Sequence, residues 1–153
     1  MKFLNYDRVL CLSPHPDDVE YGVLGTMMKY KDTKFDVVVL SEGGDFDITT
    51  KTERQDECRK VWEYLLENKF DSSSYDCIVS TSPFDSHFEH KIVSNFTYAL
   101  VRRSKCGLIQ YKSPSTLDDW TPNFFVDLQY LVNRPTKDGH SVETNKLFLA
   151  FIW

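Results

Sequence analysis

Apolar positions along the chain fall into short unbroken runs and longer helical stripes, and the two kinds alternate. Residues 8–13 (RVLCLS) form a compact apolar run that predicts a buried strand ending at Pro14, which biases its predecessor to extended backbone. Residues 20–31 carry Val23, Leu24, Met27 and Met28 at the spacing of a helix face. A second strand is predicted over 35–40 (FDVVVL), rich in β-branched residues. The polar stretch 41–50, with Gly43 and Gly44, predicts a loop. Residues 52–67 predict a charged amphipathic helix with Cys58, Val61, Trp62 and Leu65 as its stripe. Turn chemistry at 71–74 precedes a third strand over 77–80. A helix over 89–103 follows, with Ile92, Val93, Phe96, Leu100 and Val101 inward. A fourth strand is predicted over 108–111 and a fifth over 124–128. Strands alternating with helices predict an α/β fold, a mostly parallel sheet with helices on both faces, whose ligands bind outside the carboxyl ends of the strands.

Composition narrows the field without naming a chemistry. The 153 residues suffice for one domain with one core, and 1–153 is read as a single unit. Eighteen basic against twenty-three acidic residues give a net charge of -5, so there is no general cationic face for nucleic acid phosphates. No apolar run approaches the ~20 residues of a membrane helix. Asp7 and Arg8 interrupt what would be the core of a signal peptide, so a cytoplasmic location is expected. The four cysteines, at 11, 58, 77 and 106, form no C-x-x-C pair. Cys11 and Cys77 lie in apolar runs and are expected in the core.

The first strand runs directly into Ser13-Pro14-His15-Pro16-Asp17-Asp18-Val19-Glu20. His15 and Asp18 are three apart in a turn stiffened by two prolines, so both side chains can aim at one centre, with Asp17 offset between them. The plain alternative is that Asp17 or Asp18 caps the following helix. Adjacent carboxylates repel, however, and something positive normally holds them together. A second cluster, Asp85-Ser86-His87-Phe88-Glu89-His90, follows the third strand and opens a helix. His87 and His90 share a helix face, although H-x-x-H alone also describes two surface histidines. Three of the chain's four histidines thus fall at strand-to-helix junctions. Two histidines and one carboxylate with an open fourth position is a catalytic zinc pattern. His15, Asp18 and His90 supply it, leaving Asp17 and His87 for acid–base work.

These two segments resemble the paired motifs of the PIG-L/LmbE-like zinc-dependent N-acetylglucosaminyl deacetylases, written H-P-D-D-E early and H-x-D-H later. The resemblance implies a Rossmann-like fold and removal of an acetyl group from an N-acetylglucosamine unit. Thr52-Glu53-Arg54-Gln55-Asp56-Glu57 is similar to the family's R-x-x-E, whose arginine contacts the sugar; this implies substrate binding by Arg54. Arg54 also reads as an i, i+3 partner of Glu57 on a solvated helix face. The stretch 111–127 (YKSPST…WTPNFFVD) is similar to the family's Y…P-N-x-F-V-D. The likeness covers about residues 8–128 of this sequence. Glu89 stands where the family has aspartate, and Val19 displaces the glutamate that usually follows D-D to Glu20. The family's later K…H-x-S-Q has only a compressed echo at 137–141, where His140 reads as a loop residue, so the C-terminal end is divergent or truncated. Residues 147–153 are read as an added strand or a self-association edge, which would make a homo-oligomer.

The implied reaction is hydrolysis of the N-acetyl amide to acetate and a free amino sugar. One Zn²⁺ per chain, or another divalent metal, is expected at His15, Asp18 and His90. Asp17 takes the proton of the attacking water, and His87, oriented by Glu89, stabilises the oxyanion. Trp120 and Tyr111 offer flat faces to a pyranose or serve as core aromatics. The alternative is a catalytically degenerate metal- or sugar-binding module of the same fold. A metallophosphoesterase would want more ligands than the sequence offers. A nucleotide-binding protein would want a G-x-G-x-x-G after a strand, which Gly22 and Gly25 do not make.

Overall fold

The structure, a computed structural model, describes residues 1–41, 72–128 and the backbone of 148–151. Strand β1 (Arg8–Ser13) is buried from Val9 onward because it lies between β2 (Lys34–Val39) and β3 (Cys77–Thr81), parallel to both. Strand β4 (Gly107–Tyr111) extends the parallel sheet beyond β3. Two antiparallel strands complete it, β5 (Phe124–Phe125) and β6 (Phe148–Phe151), in the order β2-β1-β3-β4-β6-β5. Successive side chains of a strand point to opposite faces. Val9 and Cys11, with Cys77, Val79, Ile109 and Tyr111, therefore form one layer, and helix α1 (Asp18–Lys29) covers it through Val19 and Val23. Leu10, Leu12 and Ile78 form the other, covered by helix α2 (Phe88–Ser104) through Val93, Phe96 and Leu100. This is the α/β architecture with helices on both faces that the sequence pattern predicts. The helix predicted over 52–67 lies outside the described residues, as do the loop at 42–50, Arg54 and His140.

Three details differ from expectation. On α1 the buried stripe is Val19, Gly22, Val23 and Thr26, while Leu24 and Met28 face outward with Tyr21. The cause is a close approach at Gly22, where a Cβ would lie 2.3 Å from Tyr111 Cδ2. The smallest residue of the helix must face the sheet, and that rolls Leu24 and Met28 to the outside. Tyr111 itself is fully buried, its hydroxyl donating to the Leu12 carbonyl at 3.4 Å, and Trp120 is also buried. Both aromatics thus belong to the core and are not exposed sugar platforms. Strand β5 is only two residues long; β6 pairs with β4 over 149–151 and with β5 over 148–149. Cys11 and Cys77 are fully buried, as expected. Among the described residues no helix is long and apolar enough to cross a membrane.

Gly22→Ala should lower stability by about 1–3 kcal/mol through overpacking against Tyr111, although alanine is the better helix former. Thermal denaturation checks this. A melting temperature at or above that of the parent chain would mean that Tyr111 yields freely.

Candidate functional site

The chain leaves β1 towards β2 on one side, while β3 lies on the other. Such a switch point opens a crevice beyond the carboxyl ends of the two strands. The turn after β1 and the loop after β3 both end there, and they carry the two histidine segments.

The first turn is held by Ser13. Its hydroxyl donates to the His15 carbonyl and accepts the Val19 backbone N–H at 3.2 Å. That is the service an N-cap side chain usually gives. Asp17 occupies the N-cap position, yet its side chain makes no capping bond, and it is exposed. Asp18 is buried, and its Oδ2 accepts the His15 backbone N–H at 3.0 Å. The two adjacent carboxylates thus differ in environment, Asp18 buried and Asp17 exposed.

The second segment is organised by Asp85, which is fully buried. Its Oδ1 accepts the His87 backbone N–H at 2.8 Å, fixing the entry to α2. Its Oδ2 faces His90 Nδ1 at 3.0 Å. His90 sits in the first turn of α2 and is 3% exposed. Glu89 reaches across to hydrogen-bond Nε2 of His15 and lies 3.9 Å from His87 Nδ1. The structure therefore places Glu89 behind His15, whereas the sequence suggests a partnership with His87. The His87 ring stacks on His90, with centroids 4.7 Å apart, and meets His15 edge-on at 4.6 Å.

Each of two imidazoles thus has a carboxylate behind it, and their inward nitrogens converge. His15 Nδ1 is 3.1 Å from Asp18 Oδ2, His90 Nε2 is 3.2 Å from the same oxygen, and the two nitrogens are 3.2 Å apart. Ligands of a tetrahedral zinc, with bonds of about 2.0–2.1 Å, would be separated by about 3.3 Å. The donor set and the spacing both fit a divalent metal of that kind. In the wider cluster, His15, His87 and His90 offer nitrogens all within 4.8 Å of one another, a group that could hold a metal ion. The tighter triangle has Asp18 in place of His87.

The charges are strongly coupled. Hydrogen bonds donated by His15 to Asp18 and Glu89 raise it to about 9 against the effect of burial. Burial opposes a charge on His90 most strongly, but Asp18 and Asp85 together outweigh it and raise that group to about 9 as well. Burial works to raise Asp18 and Asp85, but hydrogen bonds led by the histidines hold both carboxyls well below the usual range. Burial, then the charges of His90 and His15, lower His87. His15 and His90 share Asp18, so they take up protons as a unit.

A pH dependence of opposite sign with and without metal follows. Histidines raised from 6.5 to about 9 on folding stabilise the metal-free chain fully below pH 6.5. That contribution is lost as the pH rises through about 9. Metal uptake must displace the same protons, so metal affinity should increase over this interval. Melting temperatures of the chelator-treated chain should fall from pH 6.5 to about 9, and added Zn²⁺ should offset the fall. A melting temperature flat over this interval in chelator would contradict the coupling.

Part of the site is invisible to sequence reasoning. Asp85 opens its segment, but nothing in the local pattern assigns it a role. Ser113 and Thr116, in the loop after β4, place hydroxyls 2.6 and 3.3 Å from Asp85 Oδ2. The only sequence signal is a run of small hydroxyl residues after a strand, which is weak.

No family model matches the chain, and no curated protein matches its sequence. Several solved structures share its fold. One is the N,N'-diacetylchitobiose deacetylase of Pyrococcus horikoshii, complexed with its inhibitor. It has a TM-score of 0.55 and 16% identity, over 84% of this chain and 67% of that one. Another is the conserved protein TT1542 of Thermus thermophilus, with a TM-score of 0.53 and 19% identity over 84% of this chain and 74% of that one. At these identities the likeness is one of α/β fold.

Proposed function

We propose that the chain is a metal-dependent N-deacetylase that hydrolyses the acetamide of an N-acetylglucosamine-containing substrate. On this reading it belongs with the PIG-L/LmbE-like enzymes. One observation carries the proposal: His15 and His90, each backed by a carboxylate, turn their free nitrogens onto Asp18 Oδ2 at 3.1 and 3.2 Å. A ligating histidine typically donates its other ring N–H to a carboxylate, as Asp85 and Glu89 would accept here. The fold shared with a chitobiose deacetylase supports the same reading.

His15, Asp18 and His90 would hold the ion, which when bound supplies a Lewis acid for an amide carbonyl and a nucleophilic water at neutral pH. Zn²⁺ suits two imidazoles and a carboxylate. Asp17, exposed at the head of α1, takes the proton from the attacking water and returns it to the leaving amine. His87 lines the same centre and donates to the oxyanion as charge develops there. Glu89 fixes the ring of His15. Arg54, outside the described residues, binds the sugar.

Metal analysis of the purified chain, combined with amine release from a panel of N-acetylglucosaminides, tests the proposal. One equivalent of zinc with acetate release supports it. Metal content with no turnover on any member would favour the degenerate binding module, and two tightly held metals would point to phosphoester chemistry.

A further inference from the structure

Behind His90 the chain of hydrogen bonds does not stop at Asp85. The Ser113 hydroxyl donates to Asp85 Oδ2 at 2.6 Å, the shortest contact that oxygen makes among the described residues. Thr116 Oγ1 lies 3.3 Å from the same oxygen and 3.1 Å from Ser113 Oγ, and accepts the Ser113 backbone N–H at 2.9 Å. Ser113 is fully buried and Thr116 nearly so. The two loops are also joined along the backbone. Asp85 and Thr116 form an isolated antiparallel bridge, Ser86 N–H donates to the Ser115 carbonyl at 3.0 Å, and Leu117 N–H to the Phe84 carbonyl at 2.9 Å. The loop after β4 thus grips the loop after β3 at the residue that faces His90.

We infer that Ser113 and Thr116 are positioning residues that hold the Asp85 carboxylate against Nδ1 of His90 and so aim Nε2 at the metal centre. The inference deepens the proposed function and rests on it. A carboxylate can rotate about its side-chain bonds, and Asp85 has two jobs, one oxygen for the His87 backbone and one for His90. Only a particular rotation serves both. An ionised carboxylate accepts and never donates, so two hydroxyls on Oδ2 fix that rotation without competing for the oxygen's role. Ser115 Oγ, 3.4 Å from His90 Nδ1, is the nearest alternative partner should Asp85 turn away. Neither Ser113 nor Thr116 touches the converging ligand atoms, so any effect they have on metal passes through Asp85.

The test measures Zn²⁺ affinity by chelator competition, together with solvent exchange of the His90 Nδ1 proton by nuclear magnetic resonance in the zinc-free chain. Ser113→Ala should weaken Zn²⁺ binding ~10–100-fold, the usual span for a group behind a ligand. It should also speed Nδ1 proton exchange relative to the parent chain. The affinity loss should vanish when Ser113→Ala is made in an Asp85→Asn background, because coupled residues are not additive. A merely structural role would leave the losses additive. If Ser113→Ala does not fold, the nearly isosteric Thr116→Val carries the same cycle, with Thr116→Ser restoring both readouts. Unchanged affinity and unchanged exchange in a folded variant overturn the inference while leaving the metal site standing. If the parent chain takes up no Zn²⁺ but exchange still rises in the variant, the grip on His90 stands and the deacetylase reading falls.

Discussion

Asp17→Asn should give a chain that folds, takes up near-normal zinc and turns over ~10²–10⁴-fold more slowly, the usual worth of a general base. The substitution is nearly isosteric. It removes no helix cap, because the Asp17 side chain makes none and the hydroxyl of Ser13 serves Val19 instead. Asp17 is also exposed, so no buried partner among the described residues is stranded. Asp18→Asn should behave differently. Its Oδ2 is the shared vertex of both histidine contacts and the acceptor of the His15 backbone N–H. An amide there keeps one oxygen but loses the charge that balances the ion, so metal content should fall and excess Zn²⁺ should partly restore it. Metal analysis beside steady-state kinetics separates the two. Loss of metal in Asp17→Asn with retention in Asp18→Asn would invert the assignment. Full activity in Asp17→Asn would move the proton to another group, His87 first.

The pair of histidine segments is legible in the sequence because each follows a short apolar strand and opens a helix. In a parallel sheet that places them at the same end. Their mutual arrangement is less legible. Glu89 lies two residues from His87 and 74 from His15, yet its hydrogen bond goes to His15. The first turn of α2 looks across the crevice at the β1 turn, a relation set by sheet order that local spacing does not encode. Asp85 shows the same limit. Its position just before H-x-x-H reads as loop chemistry, and its role emerges only when β4 delivers Ser113 and Thr116 from some 30 residues away. On α1, hydrophobicity alone ranks Leu24 above Gly22 and so turns the predicted stripe away from the true one. The size of Tyr111, 89 residues further on, reverses that ranking. The burial of β1 and β3, by contrast, depends on neighbouring strands of the same kind, and it follows the sequence pattern closely.

His87→Ala and His90→Ala should part company, although both side chains lie against the same centre. His90 is buried, with Asp85 on one nitrogen and Asp18 on the other. Its removal takes away a ligand atom and leaves two buried carboxylates facing a cavity, so metal content should collapse. His90→Gln, whose amide can still donate to a carboxylate, is the better-folded control and should also lose the metal. His87 is more exposed, and it meets the site through ring contacts with His15 and His90 and lies 3.9 Å from Glu89. Burial and the two neighbouring imidazoles lower its pKa, which favours the neutral ring. A neutral imidazole still carries one ring N–H, and it can donate that hydrogen bond to negative charge that develops beside it, as an oxyanion donor requires. His87→Ala should therefore retain near-normal zinc and lose ~10²–10³ in kcat with little change in KM. Equal loss of metal from both alanine variants would make His87 a fourth ligand. The wider grouping of His15, His87 and His90 allows that outcome geometrically. A centre with four protein ligands has no open position for substrate, and the site would then be structural.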